Sequence, residues 1–213
     1  MNYSVLITQM LQASVMTLRI FFVTLVFSLP LGLVVALGRM SKIKAVNIPV
    51  RIYILIMRGT PLMLQLLFIF YGFKPIFGIQ LERVLSAEVA FILNYAAYFA
   101  EIFRGGIASV PQGQREAAKV LGFTKRQTFF HIILPQVAKN ILPPMSNEFI
   151  TLVKDTSLAQ VIGVVELLQT TSDWVSSAVS MAPFAIAGVF YLVMNAVVTR
   201  CFSLLEKHYA YYR

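Results

Sequence analysis

Carboxylate and amide side chains recur at helical spacing inside two hydrophobic stretches of the sequence. Positions i, i+4 and i+7 in one stretch, and i, i+3 and i+7 in the other, place each set on a single helix face. The two sets are Asn94, Tyr98 and Glu101, and Glu148, Thr151 and Asp155. Two polar stripes on neighbouring helices predict an aqueous cavity, in which carboxylates bind a cationic group and Asn147 with backbone groups binds ammonium or carboxylate ends.

Ion pairing inside the hydrophobic stretches is the alternative role for these carboxylates, because an unpaired charge there is costly. Glu101 has Arg104 one turn further along the chain. Asp155 has Lys154 of the partner subunit, if two copies of the chain pair. Ion pairing is the favoured interpretation for Glu101, whereas for Glu148 and Asp155 cavity lining and ion pairing stand equal.

A second polar interruption, RGTP, runs from Arg58 to Pro61. Pro61 lacks a backbone donor and Gly59 loosens a helix, so carbonyl and amide groups near Thr60 become free to line a cavity. Arg58 lies about 12 Å into its hydrophobic stretch, so it can also extend to the cytoplasmic surface. For Arg58 a structural or gating salt bridge is favoured over direct contact with a bound carboxylate.

The composition places these residues in a lipid environment. Hydrophobic residues make up 58% of the 213 residues, charged residues only 13%, and the mean hydropathy is +0.76, which a soluble domain of this length could not bury. The net charge of +9 does not indicate nucleic-acid binding, because Lys and Arg are distributed between the apolar runs. The lone Cys201 excludes a disulfide within the chain.

Apolar runs of about twenty residues predict five membrane-spanning helices in an all-α membrane protein. They cover residues 12–38, 50–72, 84–104, 136–155 and 181–205, and form one transmembrane domain over residues 1–213. Lys and Arg are frequent in the first connection and in the 105–135 segment but absent from the 156–180 loop. The positive-inside rule therefore predicts an outside N-terminus, a cytoplasmic 105–135 segment and a cytoplasmic C-terminus.

The polar 105–135 segment has the pattern of a docking element. A short helix is predicted to start at Glu116, and an apolar surface ringed by Lys and Arg suits a groove on a partner. The residues assigned to docking are Glu116, Ala117, Ala118, Gly122 and Phe123, with Gly122 allowing a tight turn. The expected anchors to the bundle are Phe129, Phe130 and Ile133. A helix lying along the lipid headgroups explains the same residues equally well.

Sequence motifs for catalysis or metal binding are not found in the chain. It has no GxxxxGK[ST] phosphate loop, so hydrolysis of ATP by that chemistry is not expected of it. Neither His131 nor His208 lies in an HExxH arrangement, and no Ser, His and acid set is indicated. The sequence therefore predicts no bound cofactor, no metal site and no enzymatic activity.

Four segments resemble known transport proteins. EAAKVLGFTKRQTFFHIILP at 116–135 has the spacing of the coupling loop in permease subunits of bacterial ABC importers: EAA, three residues, Gly, nine residues, then Ile-x-Leu-Pro. Three further segments are similar to the polar amino-acid permeases, which handle histidine, arginine, lysine, glutamine and glutamate. These segments are RGTPLMLQL at 58–66, YFAEIFRGGI at 98–107 and LVKDTSLAQVIG at 152–163. The resemblance covers about residues 15 to 205.

This resemblance implies the type I ABC importer permease fold with a cytoplasmic coupling helix. It also implies a second permease copy or close paralogue, two P-loop ATPase subunits that hold ATP and Mg, and an extracytoplasmic amino-acid-binding protein, in a bacterial or archaeal inner membrane. The implied function is ATP-driven import of polar amino acids, and the acid-rich spans favour basic side chains slightly. From the residues alone, an ion-gradient-driven secondary transporter or channel subunit remains the alternative.

Asp173 and Trp174 fall in the predicted outer loop. The resemblance makes this loop a place for the binding protein to dock, although tryptophan is also an ordinary anchor at the membrane surface.

Overall fold

The computed structural model describes residues 2–209, and every regular element in that range is helical, as predicted. In chain order the elements are α1 Tyr3–Arg39, α2 Lys44–Gly59, α3 Leu62–Leu67, a π-helical turn Phe68–Gly72, α4 Phe73–Phe77, α5 Arg83–Ala108, α6 Gln112–Val120, α7 Lys125–Gln127, a second π-helical turn Thr128–Ile133, α8 Leu134–Asp155, a 3₁₀ helix Thr156–Ile162, α9 Leu167–Ala178 and α10 Ala182–Tyr209.

The central helix is α5, which packs against α1, α2, α3 and α8. Its aromatic side chains Phe91, Tyr95 and Phe99 are at most 2% exposed. The Phe99 ring lies 5.9 Å from the ring of Phe149 on α8, and Phe149 in turn lies 4.9 Å from Phe202 on α10. Aromatic contacts therefore join three helices in one core around α5.

Gly32 allows α1 to approach α5 closely. A Cβ atom at position 32 would lie 2.9 Å from the Phe99 Cβ and 3.0 Å from the Ala96 carbonyl oxygen. The facing residues of α5 are small as well, since Ala96, Ala97 and Ala100 are fully buried alanines. Small residues at helix crossings are a common packing device in membrane proteins, where closely approaching backbones gain van der Waals contact.

Replacement of Gly32 by alanine is expected to lower the free energy of unfolding by about 1–3 kcal/mol, because the new methyl group must push α1 and α5 apart. Gly188 on α10 is the matched control, since nothing lies within 4 Å of a Cβ added there. Gly188→Ala is expected to be neutral or stabilising by up to about 1 kcal/mol. Thermal unfolding of the purified full chain in detergent measures both variants, and equal effects would contradict the close α1–α5 packing.

The segment 50–72, predicted as one span, is not one continuous helix. Helix α2 begins at Lys44 and ends at Gly59, and the chain then bends by 109° into the helical segment Leu62–Phe77. Thr60 and Pro61 have extended backbones, with ψ of 148° and 134°. Proline disfavours helical geometry at the residue before it, which explains the break at Thr60.

Within residues 2–209, two helices, α1 and α10, are long and apolar enough to cross a membrane. The bent pair of α2 with Leu62–Phe77 passes the same test when it is taken as one segment. Helices α5 and α8 cover the predicted spans 84–104 and 136–155, but they carry the polar stripes along their length. Only 11% of the most apolar part of α10 is buried within the bundle, as expected of a helix that faces lipid.

The predicted outer loop 156–180 is mostly helical, and a buried carboxylate fixes the start of α9. Glu166 is fully buried and accepts hydrogen bonds from Leu168 N and Gln169 N at 2.9 and 2.8 Å and from the Tyr191 hydroxyl of α10 at 3.2 Å. Burial raises the pKa of the Glu166 carboxyl above its usual value, although these hydrogen bonds oppose the shift. Glu166 therefore holds α9 against α10.

Candidate coupling segment and transport pathway

A short helix, α6, lies between the end of α5 and the start of α8. It begins at Gln112 after Pro111, so the expected start at Glu116 is wrong by one helical turn. Pro111 has φ of −57°, the geometry that its ring imposes, and it marks the helix entry. Glu116 instead lies within α6 and accepts a hydrogen bond from Gln112 Nε2 at 2.9 Å.

The end of α6 is a Schellman motif centred on Gly122. Phe123 N donates to the Ala118 carbonyl at 3.0 Å, and Gly122 N donates to the Lys119 carbonyl at 3.1 Å. Gly122 has φ of +79°, which glycine adopts without the steric penalty that a side chain incurs. The predicted tight turn at Gly122 is confirmed, and it ends α6.

Three apolar side chains at this turn form what we call the coupling tip, made of Val120, Leu121 and Phe123. They are 86%, 74% and 39% exposed. Ala118, on the opposite side of α6, is only 1% exposed and packs inward. Exposed basic residues surround the tip, namely Arg115, Lys119, Lys125 and Arg126. An exposed apolar tip within a charged rim is typical of a surface that a partner covers.

Ile133 connects the segment that follows the coupling tip to the helical bundle. This side chain is 5% exposed and packs with Val110, just after α5, and with Val137 of α8. Of the three predicted anchors only Ile133 is buried, because Phe129 and Phe130 are 38% and 52% exposed. Ile133 therefore packs against the end of α5 and the first turn of α8.

Two side-chain amides stabilise the break between α2 and α3. Gln65 Nε2 donates to the carbonyls of Met57 and Thr60 at 3.0 and 3.2 Å. Asn94 Nδ2 of α5 donates to the Met57 carbonyl and to Gln65 Oε1, each at 3.0 Å. These carbonyls lose helical partners at Pro61, so the amides replace the missing hydrogen bonds. Asn94 is thus brought to the break rather than to the stripe on α8.

Arg58, at the end of α2, contacts an aromatic ring. Its guanidinium carbon lies 5.2 Å from the ring centroid of Tyr98 on α5, within the range of a cation–π interaction. No ion pair to Arg58 is found within residues 2–209, so the favoured salt bridge is replaced there by this contact. Arg58 is exposed, as are Gly59, Thr60 and Pro61.

Glu101 belongs to an ion-pair cluster at the end of α5. Its carboxylate accepts hydrogen bonds from Arg104 Nε and Nη2 at 2.7 to 3.1 Å, and Arg39 Nε of α1 lies 3.9 Å away. The predicted pairing of Glu101 with Arg104 is confirmed. Glu101 is therefore neutralised locally, and it ties the end of α1 to α5.

The α8 stripe contacts α5 through Tyr95, which is not among the predicted pathway residues. Asp155 accepts a hydrogen bond of 2.8 Å from the hydroxyl of Tyr95. Glu148 and Thr151 are half-buried on the same face of α8, and Asn147 is exposed. The Tyr95 ring lies 6.2 Å from the ring of Tyr98, which is the ring that Arg58 contacts. The guanidinium of Arg58 and the carboxylate of Asp155 therefore contact neighbouring tyrosines of α5, and Glu148 lies on the same face of α8 as Asp155.

An ion pair between α1 and α5 was also missed. Arg19 Nε donates to Glu88 Oε1 at 2.9 Å, and Glu88 is only 7% exposed. The sequence shows Arg19 as a lone cation in an apolar run and Glu88 as a lone acid in another, but their separation of 69 positions gives no sign that they meet. Within residues 2–209, no group of three or more His, Cys, Asp or Glu could hold a metal ion.

A family model described as "Binding-protein-dependent transport system inner membrane component" matches residues 28–211. The octopine transport system permease protein OccM of Rhizobium radiobacter is 40% identical over 194 residues, covering 85% of this chain and 79% of that protein. The arginine transport system permease protein ArtQ of Bacillus subtilis is 34% identical over 198 residues, covering 92% and 90%.

Solved structures show the same architecture. A crystal structure of an amino acid ABC transporter with histidines shares 35% identity with the chain, with a TM-score of 0.87 over 94% of each chain. A chain of the inward-facing MetNI methionine ABC transporter, at 19% identity, has a TM-score of 0.72 over 96% of this chain and 95% of that one, and so shares the fold.

The helical bundle with its short helix between α5 and α8 is the permease fold of type I ABC importers. The chain belongs to the family of binding-protein-dependent transport system inner membrane components. It is a transport subunit and not an enzyme, and ATP hydrolysis resides in separate subunits of such transporters. This membership excludes the ion-gradient-driven transporter or channel that the residues alone left open.

Proposed function

We propose that this chain forms the translocation pathway of an ATP-driven importer of polar amino acids, with basic side chains favoured. The observation that carries the proposal is a charge set beside two neighbouring tyrosines of α5. Asp155 accepts a hydrogen bond from Tyr95, Arg58 lies over the ring of Tyr98, and the two rings are 6.2 Å apart, while Glu148 lies on the same face of α8 as Asp155. One cation and two carboxylates complement an amino acid with a basic side chain, which has one carboxylate and two cationic groups at neutral pH. The names of relatives, which include arginine, glutamine and L-cystine permeases, support amino-acid cargo.

Each polar group of the predicted pathway then has a role. Arg58, held over Tyr98, receives the carboxylate of the cargo, while Glu148 and Asp155 receive its cationic groups. Backbone groups freed at the α2–α3 break complete the lining. The lining residues are Gly59, Thr60, Pro61, Asn147 and Thr151, whereas Asn94 maintains the break and Glu101 stabilises the cytoplasmic end.

The proposed topology has five crossings, with the N-terminus outside and the C-terminus in the cytoplasm. The five crossings are formed by α1, the bent α2–α4 segment, α5, α8 and α10. In the same order they correspond to the predicted spans 12–38, 50–72, 84–104, 136–155 and 181–205. Exposed Lys and Arg in the 105–135 coupling loop support a cytoplasmic side. The chain is then a multi-pass protein of a bacterial or archaeal inner membrane.

The proposed assembly contains this permease with a second copy or a close paralogue, two P-loop ATPase subunits and an extracytoplasmic amino-acid-binding protein. ATP and Mg are held by the ATPase subunits. The α6 helix and the coupling tip dock on the ATPase. The residues assigned to this docking are Glu116, Ala117, Ala118, Gly122 and Phe123. Closure of the ATPase pair moves the tip, and the contacts of Ile133 pass that movement to α5 and α8, so that access alternates between the two sides.

Competition for uptake tests the proposed cargo. Proteoliposomes hold the permease, its ATPase and its binding protein, and take up labelled arginine. Unlabelled lysine and histidine are expected to inhibit at concentrations at least about tenfold lower than glutamate, because a second anionic group faces Glu148 and Asp155. Equal inhibition by glutamate and lysine would contradict the preference for basic side chains.

A further inference from the structure

A cleft with both apolar and polar lining residues lies between the first half of α1 and α9. Its volume is about 880 Å³, within the range of small-molecule sites. The helices run antiparallel, because Leu167 N donates to Thr17 Oγ1 at 3.3 Å and Trp174 Nε1 donates to Gln9 Oε1 at 2.7 Å. With the N-terminus outside, as proposed above, the cleft opens outward, Trp174 lies at its rim and Arg19 lies deeper.

Arg19 presents an anchored guanidinium to this cleft. Its Nε donates to the buried Glu88 carboxylate, while the Arg19 side chain as a whole is 54% exposed. Within residues 2–209 no hydrogen bond to its two terminal nitrogens is found. These nitrogens are the pair that binds a carboxylate in fork geometry, and the bond to Glu88 orients them in advance.

The rim of the cleft offers a site for a cation. Asp173 is exposed and accepts one hydrogen bond, from Gln169 Nε2 at 2.9 Å, which leaves carboxylate capacity for a ligand. Trp174, next to it, is held by Gln9 and lines the cleft. An indole face beside a carboxylate is a favourable environment for ammonium or guanidinium groups.

Arg19 and Asp173 line the same cleft from different helices. Gln9 and Arg19 are ten residues apart, about 15 Å of helix. Side chains on a helix lean toward its N-terminus, so Arg19 leans toward the rim, and Asp173 on the antiparallel α9 leans inward. Arg19 carries one positive charge, and Glu88 and Asp173 carry one negative charge each. The net charge of the three is −1, which a ligand with a net charge of +1 balances.

We propose that this cleft is an entry site that binds a free amino acid with a basic side chain, its carboxylate on Arg19 and its side-chain cation on Asp173 and Trp174. The proposal rests on the proposed function for the cargo class and for the outward orientation. The site lies on α1 and α9 and is distinct from the Arg58, Glu148 and Asp155 region. Cargo released at the outer face would be held here before it enters the pathway.

Tryptophan fluorescence tests this site directly, because Trp174 is the one tryptophan in the sequence. The purified full chain in lipid nanodiscs is titrated with arginine, lysine, glutamine and glutamate. A saturable change in emission is expected with arginine and lysine, at concentrations at least about tenfold lower than with glutamine or glutamate. No saturable change, or the same change with all four, would overturn the proposal.

Two variants separate the two ends of the ligand. Agmatine is arginine without the carboxylate. Asp173→Asn is expected to weaken the binding of arginine and of agmatine by about tenfold each. Arg19→Lys keeps the positive charge beside Glu88 but loses the paired guanidinium nitrogens. It is expected to weaken the binding of arginine by about tenfold and to leave the binding of agmatine unchanged. The matched control Glu82→Gln, an exposed acid outside the cleft, should change neither. Equal weakening of both ligands by Arg19→Lys would overturn the assigned orientation.

A further comparison distinguishes this inference from the proposed function. Asp155→Asn should leave the Trp174 titration intact while it impairs uptake. If basic amino acids are taken up but do not change the Trp174 fluorescence, the entry site is refuted and the proposed function stands. A Trp174 response to the binding protein, without one to free amino acids, would likewise refute the entry site and identify the cleft as a protein-docking surface.

Discussion

Gly122→Val is expected to reduce ATP-driven uptake and cargo-stimulated ATP hydrolysis by at least about tenfold. Gly122 has φ of +79°, and a side chain in this region costs about 1–2 kcal/mol, more when it is β-branched. The turn places Phe123 against the end of α6, so relief of the strain must displace the coupling tip. Each 1.4 kcal/mol corresponds to about a tenfold change in the population of the docked geometry. Uptake and ATP hydrolysis in proteoliposomes measure the effect.

Gly78→Val is the matched control for this prediction. Gly78 has φ of +73°, and nothing lies within 4 Å of a Cβ added at either glycine, so the backbone strain is similar at a site outside the coupling loop. Gly122→Asn completes the set, because asparagine tolerates the left-handed region. Both controls are expected to retain most of the uptake. Equal losses in Gly122→Val and Gly78→Val would mean that general destabilisation, rather than coupling, is responsible.

Asp155→Asn and Glu148→Gln are each expected to lower uptake of arginine and lysine by about ten- to a hundredfold. Glutamine has the α-ammonium but no cationic side chain, so its uptake is expected to fall as much with one of the two substitutions and to change by less than about threefold with the other. Each substitution keeps the shape of the side chain but removes one charge, and a hydrogen bond to a charged group contributes about 1.5–3 kcal/mol. Initial rates of labelled uptake at saturating binding protein measure the effect.

Tyr95→Phe separates cargo recognition from structural support. It removes the 2.8 Å hydrogen bond to Asp155 but leaves the carboxylate charge in place. We expect this variant to retain the selectivity for basic over neutral amino acids. If Asp155→Asn and Tyr95→Phe lower the uptake of every amino acid by the same factor, Asp155 has a structural role and the assigned cargo contacts are wrong.

Local chemistry made some features of the structure predictable. The break at Thr60 follows from the geometry that Pro61 imposes on its predecessor, and the turn at Gly122 follows from the freedom of glycine. The pair of Glu101 and Arg104 lies within one helical turn, so sequence spacing was sufficient. The one-turn error at the start of α6 had a signal too, since Pro111 marks the helix entry.

Long-range contacts were not predictable in the same way. Arg19 and Glu88 pair across 69 positions, and Gln65 meets Asn94 across 29, so only the packing of α1, α3 and α5 reveals these partners. Tyr95 was missed for a different reason, because an aromatic residue in an apolar helix gives no sign that its hydroxyl faces a carboxylate. The α5 stripe was correct as a helix face, but Asn94 bonds to the α2–α3 break and not to α8.

The most direct test of the central claim, that this permease is driven by ATP hydrolysis in separate subunits, is uptake in proteoliposomes with controlled energy sources. The permease is reconstituted with its ATPase and supplied with the binding protein and labelled arginine. Uptake is expected to require Mg and ATP on the ATPase side and to continue when ionophores collapse all ion gradients. Uptake that continues without ATP and stops with the ionophores would contradict the account.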